Sequence, residues 1–342
     1  MTAIRCIPVI MGAVLLCSCN KLLVDEAASD QNLADFDMAW NIINTRYVYL
    51  DWKGIDWDSV RTVYRPRAEQ AQGDEFYTVL HDLLRELKDG HVYYQTEGGG
   101  QVLPYYPTPR MLRDRNAYSP YVVRKYFDRE LRITEGGGFE YELLPEVNIG
   151  YVWISSFDSE DFNIHFAEVL EYFRDTDGLI IDDRNGSGGS LQSTLYSVGR
   201  FLTAPIDAVL AYDATNQALD WPQYVPVGPF QYTKPVVIII NGGSYSAREN
   251  FADKMKSLPN VTVIGDTTGG GSAGQNSTGP YAGKHVLPSG KMINIPTFDL
   301  RRLDGLPWET IGVPPDIRVP QTEANIRAGT DKQLEYAIEL LQ

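Results

Sequence analysis

The sequence has 342 residues, of which 43% are hydrophobic, and a formal net charge of −15. Its length allows one large domain and a smaller one, and its acidic balance argues against nucleic acid as a partner and against adsorption to anionic lipid headgroups. All three cysteines lie near the N-terminus (Cys6, Cys17 and Cys19), so the rest of the chain has no disulfide framework, thiol nucleophile or cysteine-based zinc site. Neither HExxH nor a Walker-type phosphate loop occurs, and we expect no metal and no cofactor.

Residues 1–18 are typical of a bacterial lipoprotein signal peptide. An early arginine precedes an apolar stretch, residues 7–16, that is too short to span a bilayer. The run LCSC at 16–19 resembles a lipobox in which Cys19 is lipidated after cleavage; an ordinary signal peptide cut nearby is the alternative. Residues 19–30 would then be a polar tether. The expected location is the cell envelope (the outer membrane or periplasm of a Gram-negative cell), with the N-terminal lipid as the only membrane contact.

Residues 31–95 are predicted to form a small N-terminal helical subdomain. Apolar residues recur at helical spacing over 31–48 and 74–88. Between these two segments, residues 56–70 are predicted to be helical with an interruption near Pro66.

Residues 96–147 show only weak alternation and are predicted as irregular strands and loops. From residue 148 to 342 the pattern becomes regular, and a capping box at Thr330 opens a C-terminal helix. Continuous apolar strands that alternate with helices indicate a mostly parallel, layered α/β domain. The strand candidates lie at 149–154, 178–181, 236–240 and 261–264.

Three segments carry residue types that could act together. GLIIDDRNGSGGS (178–190) places a glycine-rich loop after a strand, which can hold an oxyanion or can be only a tight turn. Asp183 in this segment is expected to bond Arg184 or nearby backbone rather than a metal. NGGSYSAREN (241–250) follows another strand, so Ser246 is either a nucleophile or a helix N-cap.

The third segment, LKDGHVY (87–93), contains His91 just after a helix. Of the four histidines, His91 and His285 are the candidates for a general base, and spacing alone does not choose between them.

The order of LKDGH, GLIIDDRNGSGG, VVIIINGGSYSARENFA, VIGDTTGGG and ETIGVPPDI resembles the C-terminal-processing and tricorn-like family of serine peptidases over residues 75–320. The resemblance implies a ClpP/crotonase-like layered catalytic domain and a peptide or unfolded-protein substrate. Many processing peptidases also insert a PDZ domain, for which the segment between Gln95 and Glu146 is too short.

The family's motifs assign Ser246 as the nucleophile. The oxyanion hole would come from the amide of Ala247 and from Gly188 or Gly189. The processing branch uses a lysine as the base, but Gly271 stands about where that lysine would be.

The tricorn-like branch instead uses a histidine, which corresponds to His91. An imidazole titrates near neutrality, so it can accept a serine proton. Glu309 would orient the imidazole, with Asp304 as the fallback. The branch has a serine before its histidine where this chain has Gly90, and we expect Gly90→Ser to preserve or raise activity.

The leading hypothesis is an exported serine peptidase that forms an acyl-enzyme at Ser246. The first alternative is an inactive lipoprotein on the same scaffold that binds peptides or an apolar ligand. Acyl-CoA chemistry, which a crotonase-like fold permits, is disfavoured because the leader indicates export.

Overall fold

The computed structural model describes residues 15–158, 161–207, 209–271 and 274–342, with side chains from residue 29 onward. Most of the predicted signal peptide lies outside the described residues, and the predicted lipid attachment at Cys19 concerns a side chain outside this set. Within the described ranges, no helix has both the length and the apolar character needed to cross a membrane.

The fold alternates helices and strands along most of the chain. The helices are α1 (Leu15–Arg46), α2 (Trp57–Gln70), α3 (Glu75–Arg85), α4 (Pro109–Arg115), α5 (Pro120–Arg124), α6 (Phe162–Tyr172), α7 (Leu191–Gly199), α8 (Ala247–Lys256), α9 (Glu323–Arg327) and α10 (Lys332–Leu341). The strands are β1 (Tyr93–Gln95), β2 (Gln101–Val102), β3 (Arg132–Ile133), β4 (Phe139–Leu143), β5 (Ile149–Ile154), β6 (Ser156–Phe157), β7 (Gly178–Asp182), β8 (Ser187–Gly189), β9 (Leu210–Asp213), β10 (Ala218–Leu219), β11 (Val236–Ile240), β12 (Val261–Gly265), β13 (Lys284–Val286), β14 (Met292–Asn294), β15 (Phe298–Arg301) and β16 (Ile317–Arg318).

A seven-stranded sheet forms the centre of the fold, in the order β16-β12-β11-β7-β5-β4-β3. Neighbours from β16 to β5 are parallel, whereas β4 and β3 extend one edge in antiparallel fashion. Every residue of β7 and β11 is buried, as expected for parallel strands covered by helices on both faces. The layered α/β fold predicted from the sequence is confirmed.

The two faces of the sheet have separate apolar cores because successive strand residues point to opposite sides. In β11, Val236, Ile238 and Ile240 pack on the face covered by α6, α7 and α8. Val237 and Ile239 pack on the other face, together with Leu334 and Ala337 of α10. Burying each large aliphatic side chain contributes about 1.5–3 kcal/mol to folding, so β11 is firmly fixed at the centre.

A second sheet joins the N-terminal helices to the main domain. Helices α1, α2 and α3 share one core with Leu287, Ile293 and Ile295. Strand β1 pairs antiparallel with β14, and the Asn294 side-chain amide donates to the His91 carbonyl at 3.2 Å. This pairing carries His91, two residues before β1, to the main domain.

Two regions differ from the sequence-based division of the chain. Residues 19–30, predicted as a tether, are part of α1, and no glycine or proline interrupts the sequence of this helix. Residues 96–147, predicted as irregular, also supply β3 and β4 to the central sheet. Because β4 pairs with β5, the main domain begins before residue 148.

Candidate active site

Ser246 lies at a sharp turn between β11 and α8. Its φ is 65°, a conformation that costs a non-glycine residue about 1–3 kcal/mol and is concentrated at functional sites. The same residue occupies the N-cap position of α8. The two sequence-based interpretations of Ser246, as a nucleophile or as an N-cap, are therefore compatible, because the turn residue is also the N-cap residue.

The structure brings His91 to Ser246. His91 Nε2 lies 3.0 Å from Ser246 Oγ, a normal hydrogen-bond distance. The other candidate, His285, lies in β13 opposite Ile293 of β14, and burial lowers its pKa. Among the described histidines, His91 is the one in hydrogen-bond contact with Ser246.

Asp89 supplies the carboxylate nearest to the other side of the imidazole, and the sequence-based site did not include it. Its Oδ1 lies 3.5 Å from His91 Nδ1 and accepts the His91 backbone N–H at 2.8 Å. Its Oδ2 accepts the Tyr47 hydroxyl at 2.8 Å. Burial alone would raise the pKa of Asp89, but the Lys53 ammonium and the contacts from His91 outweigh it and hold that pKa well below its usual value. The spacing Asp-Gly-His, which places a carboxylate two residues before the histidine, was the feature of the sequence that could have identified Asp89.

The family resemblance assigns Glu309 to orient the imidazole, directly or through water, whereas the structure places Lys53 and Asp89 between Glu309 and His91. Glu309 Oε1 forms an ion pair with Lys53 Nζ at 2.6 Å, and the same ammonium lies 3.5 Å from Asp89 Oδ2. Lys53 thus links Glu309 to Asp89, and Asp89 faces His91. The fallback, Asp304, pairs with Arg302 in an exposed turn. Lys53 comes from the N-terminal helical region, so motif matching within the catalytic segments could not reveal it.

Glu309 should make the stability of the protein depend on pH. Burial and the charge of Asp89 raise its pKa to about 8, against the opposing effect of Lys53. Because the folded protein holds this proton more tightly than the unfolded chain does, the protonated carboxyl stabilises the fold. The contribution is present in full below about pH 4.5, the usual pKa of glutamate, and is lost as the pH rises through 8. We expect Glu309→Gln to make the fall in the free energy of unfolding between pH 5 and 8 shallower, as measured by urea denaturation.

Asp304→Asn is the matched control for this experiment. The pKa of Asp304 is lowered, with hydrogen bonds from Leu306 and Arg302 outweighing a burial effect, so its contribution is lost only as the pH falls through the acidic range. This variant should keep the wild-type slope between pH 5 and 8. An unchanged slope in Glu309→Gln would show that the carboxyl is not held protonated in the folded state.

The two glycines predicted for the oxyanion hole differ in what they contact. A Cβ built on Gly188 would lie 3.1 Å from Ser246 Oγ, so its backbone is directly against the hydroxyl. A Cβ on Gly189 would instead meet the backbone of Phe157 and Asp158. Ala247, the third predicted member, is the first residue of α8. Its amide belongs to the helix N-terminus, where N–H groups lack intrahelical partners and favour negative charge.

Glu249 fixes the turn that carries Ser246. Its carboxylate is fully buried and accepts four hydrogen bonds, from the Ser246 amide at 3.2 Å, the Thr268 hydroxyl at 2.6 Å, and the amides of Gly270 at 2.8 Å and Gly271 at 2.6 Å. Burial raises its pKa to about 7 despite these bonds. Glu249 therefore joins the serine turn to the loop after β12.

The paired aspartates of the glycine-rich segment point to opposite faces of the sheet, as neighbouring strand residues do. Asp182 forms a 2.6 Å ion pair with Arg184, and Asp183 forms one of the same length with Arg248 of α8. The expectation that Asp183 bonds Arg184 is therefore wrong. All of these side chains are fully buried, so the pair Asp183–Arg248 anchors the helix that begins at the serine.

The expectation that Gly90→Ser preserves or raises activity is not supported by the space around Gly90. A Cβ there would lie 2.6 Å from the Tyr245 hydroxyl oxygen, closer than real Cβ atoms come to any neighbour. The hydroxyl end of Tyr245 occupies this position, and the order Ser244-Tyr245-Ser246 does not indicate that the tyrosine reaches Gly90.

A cleft of about 540 Å³ lies beside the nucleophile position. Its lining includes Ser246 and Ala247, the aromatic residues Trp221, Phe298 and Trp308, and polar side chains such as Gln192, Asn250 and Gln275. The arrangement is a hydroxyl and an imidazole in hydrogen-bond contact, next to a cleft of mixed apolar and polar lining that could receive a peptide side chain.

The chain is similar to proteins named as proteases. The curated relatives include tricorn protease homolog 1 of Streptomyces coelicolor, 24% identical over 389 residues, a match covering 89% of this chain and 34% of that protein. Carboxy-terminal processing protease CtpB of Bacillus subtilis is 31% identical over 125 residues, covering 36% of this chain and 25% of that protein. The matches thus cover 34% and 25% of the lengths of these two relatives.

A solved structure matches almost the whole chain. The crystal structure of a Parabacteroides merdae protein superimposes with a TM-score of 0.76 at 27% identity, covering 91% of this chain and 96% of that one. Residues 29–85 match the model of the tricorn protease C1 domain. Residues 148–319, half of the chain, match the model of peptidase family S41, which is a family of serine peptidases, and this chain belongs to it.

Proposed function

We propose that this protein is an exported serine peptidase that hydrolyses peptide bonds through an acyl-enzyme at Ser246. The observation that carries the proposal is the 3.0 Å contact between His91 Nε2 and Ser246 Oγ. A serine hydroxyl is a weak nucleophile until a base within hydrogen-bond reach can take its proton. Membership of peptidase family S41 supports the same chemistry.

In the proposed reaction, Ser246 Oγ attacks the carbonyl carbon of the substrate while His91 Nε2 takes the hydroxyl proton. Asp89 stabilises the imidazolium that results, as a buried carboxylate does in other serine hydrolases. The negative charge on the substrate oxygen is met by the amide of Ala247 and by the backbone at Gly188. His91 then gives its proton to the leaving amine. A water, deprotonated by His91, then attacks the acyl carbon. The bond between that carbon and Ser246 Oγ breaks, the acid product leaves, and His91 returns its proton to Ser246 Oγ.

A fluorophosphonate probe tests the activated serine without knowledge of the substrate. Wild-type protein at neutral pH should be labelled covalently, and Ser246→Ala should not be, as detected by mass spectrometry of the intact protein. Ser244→Ala is the matched control, because the Ser244 hydroxyl donates to the Asp183 carbonyl and lacks a base. Absence of labelling in the wild type would instead favour an inactive protein that binds peptides or an apolar ligand.

The second part of the proposal is the location of the protein. The short apolar stretch and the LCSC run at residues 16–19 support export and lipid attachment at Cys19, which would hold the peptidase at the cell envelope. This part rests on the sequence of the leader, and peptide or unfolded-protein substrates would then be those of the envelope.

Lipid attachment can be tested with an alkyne-bearing fatty acid in a bacterial expression host. The wild-type protein should carry the label and fractionate with membranes. Cys19→Ser should lose both properties, because the thiol that accepts the lipid is gone. Cys6→Ser, which removes another leader thiol, should keep both. Label that persists in Cys19→Ser, or that is missing from the wild type, would contradict the proposed anchor.

A further inference from the structure

We infer that Tyr245, the residue before the nucleophile, is a positioning residue for His91, with its hydroxyl as the partner of Nδ1 and its ring as the surface against which the imidazole stacks. The inference rests on the proposed function, because it concerns the orientation of the same base. It is carried by three observations: a stacked pair of rings, a contact between side-chain atoms, and two glycines without which the tyrosine would not fit.

The first observation is the stacking of the two rings. The centroids of Tyr245 and His91 are 4.9 Å apart and their planes differ by 23°. Tyr245 is only 5% exposed, and Tyr106 packs edge-on against it with centroids 6.2 Å apart. The phenol ring is therefore fixed by its own packing, and it restricts the plane in which the imidazole can lie.

The second observation concerns the proton on the imidazole. For Nε2 to accept the proton of Ser246, the neutral ring must carry its hydrogen on Nδ1. The Tyr245 hydroxyl oxygen lies 3.3 Å from Nδ1, whereas Asp89 Oδ1 lies at 3.5 Å, the far limit of a hydrogen bond. The phenol oxygen is thus the nearer acceptor for that hydrogen, with the carboxylate close behind it.

The phenol is suited to this role because it stays neutral. Burial, followed by the charges of Glu309 and Asp89, raises the pKa of Tyr245 well above its ordinary value. A protonated phenol can accept from Nδ1 without adding a further negative charge to a cluster that already contains two carboxyl groups. It therefore orients the ring, while Asp89 supplies the charge that stabilises the imidazolium.

The third observation is that the ring needs glycine at two distant positions. A Cβ on Gly271 would lie 2.0 Å from Tyr245 Cζ, and one on Gly90 would lie 2.6 Å from the hydroxyl oxygen. Both distances are below 3.0 Å, which real Cβ atoms essentially never show. Tyr245 thus fills the volume that side chains at 90 and 271 would use. With Tyr245 in place, there is no room at position 90 for the serine of the tricorn-like branch. Nor is there room at position 271 for a lysine like that of the processing branch.

The test uses the rate of fluorophosphonate labelling as a function of pH. Tyr245→Phe keeps the ring and removes only the hydroxyl, so we expect a rate about tenfold lower, the effect of one lost hydrogen bond. The midpoint of the pH–rate profile should also move to lower pH, because an imidazolium loses more from a missing acceptor than the neutral ring does. A purely space-filling tyrosine would leave both the rate and the midpoint unchanged.

A second set of variants separates the hydroxyl from the packing. Gly90→Ser alone should reduce labelling, since it collides with the ring. In a Tyr245→Ala background the space beside Gly90 is open. Adding Gly90→Ser there should raise the labelling rate at least threefold above that of Tyr245→Ala alone, because it places a hydroxyl near Nδ1. Gly90→Ala in the same background fills the space without a hydroxyl and should restore nothing. Thermal denaturation checks that each variant is folded.

The outcomes distinguish this inference from the proposed function. Normal labelling of the wild type, with Tyr245→Phe equal to it in rate and pH profile, would overturn the role of Tyr245 and leave the peptidase proposal standing. Equal recovery by Gly90→Ser and Gly90→Ala would also overturn it, because packing alone would then explain the effect. A wild type that resists the probe would count against the proposed function itself.

Discussion

His91→Ala is expected to lower the rate of Ser246 acylation by about 10²- to 10⁴-fold, the usual contribution of a positioned general base. The imidazole is in hydrogen-bond contact with Ser246 Oγ at 3.0 Å, and among the described residues it is the histidine in such contact. Without it, the hydroxyl must lose its proton to water in the transition state. The rate constant for labelling by a fluorophosphonate measures the corresponding attack of Ser246 Oγ on phosphorus, which needs the same proton transfer.

His285→Ala is the matched control. This histidine was the other candidate for the base in the sequence analysis, and it lies in β13. It should label at a rate close to that of the wild type. Added imidazole should restore part of the rate to His91→Ala, because the deletion leaves a space beside the Tyr245 ring. Equal losses in the two variants, or a loss below tenfold in His91→Ala, would contradict the assignment of the base.

Lys53→Met is expected to lower the free energy of unfolding by about 3–5 kcal/mol, the typical effect of removing one member of a buried ion pair. The Lys53 side chain is 5% exposed, and its ammonium lies between Glu309 at 2.6 Å and Asp89 at 3.5 Å. It also donates to the Tyr47 hydroxyl and to the carbonyls of Leu87 and Lys88. Its loss leaves two buried carboxyl groups facing each other without a cation. Chemical denaturation at neutral pH measures the change.

Lys332→Met provides the comparison, because this lysine forms an exposed ion pair with Glu335, and such pairs contribute about 0–1 kcal/mol. At a pH well above 8, where Glu309 is ionised, the double variant Lys53→Met/Glu309→Gln should be more stable than Lys53→Met, since one of the two facing carboxyls is then permanently neutral. A change below 1 kcal/mol in Lys53→Met would mean that the buried cluster tolerates the missing charge and that its description as an ion-pair network is wrong.

The residues that form the serine turn were predictable because they are close together in the chain. An apolar strand, a few small residues and a helix pattern are local features, and they place Ser246 and Ala247 at the start of a helix. The glycine-rich segment was likewise visible, and both of its predicted glycines lie near Ser246: a Cβ on Gly188 would meet Ser246 Oγ, and Gly189 lines the cleft beside Ser246.

The partners of the imidazole were not predictable in the same way. The family resemblance pointed to Glu309, yet Asp89 is the carboxylate beside Nδ1. Its position two residues before His91 was a local signal, but that signal did not rank Asp89 above Glu309. Lys53 belongs to the helical region and meets Glu309 only because β1 pairs with β14 and brings the two halves of the chain together. Sequence spacing carries no information about such contacts.

The main strands and helices, the family resemblance and the candidates Ser246 and His91 could be predicted from the sequence, because each depends on a local pattern or on a motif. The contact between Lys53 and Glu309, and the Tyr245 ring in the space at positions 90 and 271, arise only in the folded chain. Those outcomes depend on how three remote segments pack at distances of 2 to 4 Å, a scale at which one ring or one ammonium group changes which side chains can meet.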